Sequence, residues 1–127
     1  MGITYTFEQG FLWYRMSGHQ NVEETRAGFE AAFQDPAFRP GLPVLIDARD
    51  TPGRRSASDL ASLAAFFGAH RHVLGRRFAL LISEKNPSPG KYSRVLVPQS
   101  DRYKVRFFVF YEPEAAIEWL TSPEATD

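Results

Sequence analysis

Three groups of side chains in this sequence have types and spacings that could support chemistry. Ser56 and Asp59 have the spacing of a helix N-cap followed by an acid at the third helical position, and Arg54 and Arg55 stand directly before them. A helix start presents unpaired backbone N–H groups. This stretch could therefore hold an anion, or a phosphate carried on Ser56 or Ser58, with two guanidinium groups as partners. Capping alone accounts for Ser56 and Asp59, and it is the favoured reading. Asp47 and Asp50 offer a pair of carboxylates. An acid at the end of a strand commonly caps the next turn, and the turn role is favoured here. His70 and His72 would share one side of a strand, but a helix sends them about 200° apart. They follow Phe66 and Phe67 in a helical pattern, so His70 is expected at the edge of the core and no metal site is expected. His19 is expected at the surface.

Catalysis finds no support in this inventory. Ser, His and Asp are all present, yet none lies in a Gly-x-Ser-x-Gly elbow, and Gly53 and Gly90 are isolated rather than part of a phosphate-cradling loop. The chain has no cysteine, which rules out disulfides, thiolate metal sites and Cys nucleophiles and favours a reducing compartment. The expectation is a protein without catalytic residues or cofactor.

Positioning these groups falls to a regular series of elements. Ile3, Tyr5 and Phe7 alternate with polar residues, and a second strand-forming run from Phe11 to Ser17 follows Gln9-Gly10, which predicts a hairpin. Asn21 and Glu24 have capping-box spacing ahead of Val22, Thr25, Phe29 and Phe33 on one helical face, with Asp35-Pro36 as the stop. Pro43 to Asp47 reads as a buried strand. A helix is expected from Ser56, with an apolar stripe through Phe67 to Val73 and Leu74, stopping at Gly75. Phe78 to Ile82 is another strand. Lys91 to Val97 predicts a short helix cut off by Pro98, Val105 to Phe110 a final strand, and Glu112-Pro113-Glu114 the start of a last helix. Helices that alternate with apolar strands favour a parallel sheet with right-handed crossovers, with the hairpin supplying an antiparallel edge.

The bulk properties agree with one folded unit. The 127 residues, 43% hydrophobic and with eleven Phe, predict a single domain over residues 1–123 and a short tail over 124–127. The start has no signal-peptide pattern and no segment is long and apolar enough to span a bilayer, so a cytoplasmic location is expected. The formal net charge of zero conceals an asymmetry. Residues 1–47 carry three Arg against six acids, residues 48–106 twelve Lys and Arg against four acids, and residues 107–127 five acids and no base. Basic residues of the middle region interleave with Tyr92 and Tyr103, but no nucleic-acid motif accompanies them and nucleic-acid binding is not expected.

The element order, Val44-Leu45-Ile46-Asp47 closing one strand, and the ending Val109-Phe110-Tyr111-Glu112-Pro113-Glu114-Ala115-Ala116-Ile117-Glu118-Trp119-Leu120 together resemble the SpoIIAA-like family of STAS-type domains. The resemblance implies a single α/β domain, a sandwich with a mixed sheet of about five strands and about four helices, in a bacterial setting. It implies a regulatory Ser nine positions after the strand Asp, which here is Ser56 after Asp47. The run Arg55-Ser56-Ala57-Ser58-Asp59 departs from the family's Asp-Ser-Ser/Thr-Gly pattern. The function expected on this basis is a non-enzymatic regulatory or protein-interaction module, meeting a partner around Asp47, Arg54, Arg55, Ser56 and Ser58. The alternative is a binder of a small apolar or anionic ligand, a lipid or metabolite, in a pocket at the sheet edge. The aromatic residues also make self-association as a homodimer an expectation. A connected apolar cavity favours the ligand reading; exposed apolar residues on the helix from Ser56 favour the partner reading.

Overall fold

The computed structural model describes residues 2–8, 10–52, 56–86 and 89–123. The sheet has the strand order β1-β2-β3-β4-β5, formed by Ile3–Glu8, Phe11–Ser17, Leu42–Asp50, Leu74–Leu81 and Arg106–Phe110. β1 and β2 pair antiparallel, and β2 through β5 are parallel. Gly10 at the hairpin has φ 93°, a left-handed conformation that a residue with a Cβ adopts only with strain. The mixed five-stranded sheet with an antiparallel N-terminal edge is the architecture expected.

This topology dictates the layering. Each step from β2 to β5 moves one strand in the same direction, so right-handed crossovers place all three connecting helices on one face. These are α1 (Val22–Gln34), α2 (Ala57–Ala69) and α3 (Pro89–Tyr103), and α2 packs on both of the others. The last helix, α4 (Pro113–Thr121), returns over the opposite face and packs on β3, β4 and β5.

Period-two alternation assigns the strand side chains to these layers. Leu12, Tyr14, Val44, Ile46, Phe78 and Leu80 enter the core beneath the three helices. Phe11, Leu45, Ala79 and Leu81 meet Ala116 and Leu120 of α4. The larger core is aromatic. Tyr14 stacks on Phe29 at 3.8 Å, Phe29 meets Phe67 edge-on at 5.1 Å, and Phe67 stacks on Phe78 at 4.6 Å. α1 can approach β2 this closely because its interior residue is Gly28, where a Cβ would collide with the Tyr14 hydroxyl. That hydroxyl donates to the Thr25 carbonyl at 2.7 Å, so the buried phenol is satisfied.

Three expected boundaries are corrected. α2 stops at Ala69, and Val73 and Leu74 belong to a turn and to β4, with Leu74 paired to Leu42 and Gly75 inside the strand. An apolar stripe that runs from helix into strand carries no boundary mark. β3 continues past Asp47 to Asp50. Pro98 does not end α3, which runs on to Tyr103. Pro98 is exposed, so water can satisfy the carbonyl that a proline leaves without a helical donor.

Candidate functional site

Ser56 is the N-cap of α2, and its side chain accepts from the Asp59 N–H at 3.0 Å. Ser56 and Ser58 are both exposed. Arg54 and Arg55 lie outside the described residues. Asp47 stands elsewhere. It lies within β3 between Ile46 and Ala48, which belong to the core beneath α1, α2 and α3, so its side chain projects to the α4 face. The sheet therefore separates Asp47 from Ser56, and the two do not form one site.

Asp47 is buried, with 7% of its surface exposed, and its partners explain how a carboxylate is tolerated there. Arg49 reaches it with two side-chain N–H groups at 2.9 and 2.8 Å, and the Trp13 indole N–H donates at 3.2 Å. The Arg49 backbone N–H adds a bond of 3.3 Å. Burial pushes the Asp47 carboxyl up, but the bonds from Arg49 and Trp13 outweigh it and hold the group below its ordinary value. The turn-capping role expected for Asp47 is replaced by this network inside the strand. The network extends across β2 to β1: Arg15 lies over the Trp13 ring at 4.2 Å and donates to the Thr6 hydroxyl at 3.2 Å. A carboxylate so fully engaged with a neighbouring cation serves to order this face.

The histidines lie apart from one another. His70 follows α2, its Nδ1 lies 2.9 Å from the Phe66 carbonyl, and its ring packs at 4.4 Å from Phe66, as expected for a core-edge residue. His19 and His72 are exposed. Among the described residues, no group of three or more His, Asp or Glu is placed to hold a metal. No helix there is long and apolar enough to cross a membrane.

The feature with binding capacity lies between the sheet and the helices. A cavity of about 50 Å³ is enclosed by Met16, Ile46, Ala48 and Leu80 from strand halves near the carboxyl ends, by Leu60, Leu63 and Phe67 of α2, and by Tyr92 and Leu96 of α3. All lining residues are buried except Thr51, which is partly exposed just past β3. Thr51 is therefore the lining residue nearest to solvent. The wall is apolar apart from Thr25, Thr51 and Tyr92. Thr25 and Thr51 give their hydroxyls to the carbonyls of Asn21 and Ala48, at 2.9 and 2.8 Å. Tyr92 is 4% exposed, and among the described residues its hydroxyl has no hydrogen-bond partner. A buried phenol without a partner costs about 1–3 kcal/mol.

The pocket expected from the sequence lay at the sheet edge around Asp47 and Ser56, whereas this cavity lies beneath α2 and α3 among core side chains of β2, β3, β4 and β5, and its polar group was not foreseen. Tyr92 sits in a helix that was expected to be short. Sequence reasoning also missed Arg49, Trp13 and Arg77, although Trp13 and Asp47 share a parity on adjacent strands that hydropathy alone does not register. Arg77 crosses beneath α4 and donates to the carbonyls of Trp119 and Leu120 at 2.6 and 3.0 Å, so a cation closes the negative end of that helix.

No protein-family model matches the chain, and no curated protein matches it. The chain is similar in structure to an uncharacterized protein of the DUF3478 family with a SpoIIAA-like fold from Shewanella loihica PV-4. The TM-score is 0.56 at 18% sequence identity, over 93% of this chain and 91% of that one. The fold is thus SpoIIAA-like, as the sequence resemblance implied.

Proposed function

We propose that this protein is a non-enzymatic binding module that holds a small, mostly apolar ligand between the sheet and α2 and α3. The observation that carries the reading is the enclosed apolar cavity at the carboxyl ends of the strands, the side of an open α/β sheet where ligands commonly bind. The exposed surface of α2 does not favour a partner instead. Its first turns present Ser56, Ala57, Ser58 and Ser62 to solvent, and no large apolar side chain of α2 is exposed. A cavity of about 50 Å³ holds about four water centres, so it accepts a short alkyl chain or the end of a longer one. Tyr92 supplies the hydrogen bond that would orient a single polar group.

Thermal unfolding in a series of short 1-alkanols tests this reading. Binding to the folded state alone stabilises it by about 1.4 kcal/mol at ten times the dissociation constant, and the effect is expected to peak at one chain length. Ala48→Val places two methyl groups into the cavity and is expected to abolish that stabilisation while the unliganded fold persists. A uniform response to all alkanols, or an unchanged response in Ala48→Val, would overturn the proposal. A regulatory role is a second reading, favoured by the exposed Ser56 and Ser58 on the first turn of α2. Recovery of phosphate on either residue from the native host would support it.

A further inference from the structure

The wall of the cavity constrains the chemistry of its ligand as well as the size. Among the described residues, no Asp, Glu, His, Lys or Arg lines it. A carboxylate or ammonium group inside would be buried without a counter-ion, at far greater cost than a neutral group. The polar side chains of the wall are Thr25, Thr51 and Tyr92. Both threonine hydroxyls give their protons to backbone carbonyls, those of Asn21 and Ala48. Tyr92 differs. It is 4% exposed, and among the described residues its hydroxyl has no acceptor. Tyr92 and Leu96 lie one turn apart on α3 and line the cavity together, so a phenylalanine at position 92 would pack the same ring. The fold makes no use of the oxygen.

Proton balance then separates the neutral ligands. A phenol offers one proton. The carbonyl of a ketone, aldehyde or ester accepts it and brings no proton of its own, so one bond from Tyr92 satisfies both partners. An alcohol brings a second proton, which must find an acceptor in a mostly apolar wall. A hydrocarbon leaves the Tyr92 hydroxyl as it was.

We propose that the cavity selects a neutral carbonyl compound, a short-chain ketone, aldehyde or ester, whose oxygen accepts a hydrogen bond from the Tyr92 hydroxyl. This rests on the reading of the cavity as a ligand site. The alkyl part lies against the apolar side chains that α2 and the strands contribute, among them Ile46, Leu60 and Leu63.

Titration of the full chain with butanone, followed through the backbone amide signals of Ala48, Leu63 and Tyr92 by nuclear magnetic resonance, tests the proposal. The comparison probes are the alkene with a methylene group in place of the carbonyl oxygen, sec-butanol, and butyrate. Tyr92→Phe is expected to unfold at the wild-type temperature or higher, since the unliganded fold loses no bond. It is expected to bind butanone about tenfold more weakly than the wild type does, while its affinity for the alkene changes by less than about twofold. In the wild type, sec-butanol is expected to bind about fivefold more weakly than butanone, and butyrate about a hundredfold more weakly or not at all. Equal butanone affinity in wild type and Tyr92→Phe would overturn the proposal. So would an equal loss for the alkene, sec-butanol or butyrate binding as tightly as butanone, or a less stable Tyr92→Phe. Binding of the alkene together with any of these removes only the carbonyl selectivity. Amide signals that respond to neither butanone nor the alkene would remove the ligand reading of the cavity as well.

Discussion

The two faces of the sheet are closed by different means. Beneath α1, α2 and α3 the side chains form a continuous aromatic and aliphatic core from Tyr14 through Phe29 and Phe67 to Phe107. Among the described residues the other face is covered by the nine residues of α4, and its core is correspondingly small, with Leu45, Ala79 and Leu81 against Ala116 and Leu120. Polar groups organise the remainder: Asp47 holds Arg49 and Trp13 together, and Arg77 ties the end of α4. One helix cannot cover five strands, so order on that side comes from directed bonds. Three helices cover the opposite side so fully that the space left over is an apolar cavity.

Substitutions of similar chemistry on the two faces should separate sharply if this contrast is right. Phe29 is fully buried, and Phe29→Ala removes its stacking on Tyr14 and opens a void. The expected loss is about 3–5 kcal/mol. Trp119 is only partly buried beside Phe108 and Phe110, so Trp119→Ala is expected to cost about 1–2 kcal/mol. Urea denaturation of both variants measures the difference, and equal losses would break the comparison.

Asp47→Asn tests the polar side. The amide keeps an acceptor for the Trp13 N–H but loses the charged partner of Arg49, whose own head is partly exposed and can turn to water. The expected cost at neutral pH is about 1–2 kcal/mol. The carboxyl is held below its ordinary value of 3.8 in the folded chain. Its contribution is therefore complete above that value and is lost as pH falls through the lower folded-state value. Between neutral and acid pH the wild type should lose more stability than Asp47→Asn, and parallel pH profiles would show that the carboxylate contributes nothing specific.

The same contrast explains what could be read from the sequence. The three-helix face announces itself through hydropathy, because Val22, Thr25, Phe29 and Phe33, or Leu60, Leu63, Phe66 and Phe67, repeat at helical spacing. Strand identity and sheet direction follow from there. The α4 face is held by particular pairs, and Asp47 read as a turn residue because a charge after three apolar residues resembles a strand end. Nothing in the pattern states that Arg49, two positions on, returns to bind it. Pro98 misled for a related reason: whether a proline breaks a helix depends on whether the freed carbonyl meets water, which is a tertiary fact. The anionic site expected around Arg54, Arg55 and Ser56 shares a short stretch of chain with Asp47, yet Asp47 projects to the α4 face while Ser56 begins α2 on the other face, and Arg54 and Arg55 lie outside the described residues.

Helix ends give the smallest test of how far the three-helix face depends on local bonds as against ring packing. Asn21 and Glu24 form a reciprocal capping box at α1, with bonds of 2.7 and 2.9 Å. Ser56 makes a single cap bond at α2. Ser56→Ala is expected to cost about 1 kcal/mol, Asn21→Ala somewhat more, and Ser56→Asp less than about 0.5 kcal/mol, since Asp also caps and its charge suits the helix start. Each is several times smaller than the loss at Phe29. A cost for Ser56→Ala approaching that of Phe29→Ala would mean that the start of α2 is held by more than its cap. Destabilisation by Ser56→Asp would mean that a negative charge at this position disturbs the start of α2, whose Leu60 and Leu63 line the cavity. That result would tie the regulatory reading of Ser56 to the ligand reading, because a phosphate at the same place would act on the helix that walls the cavity.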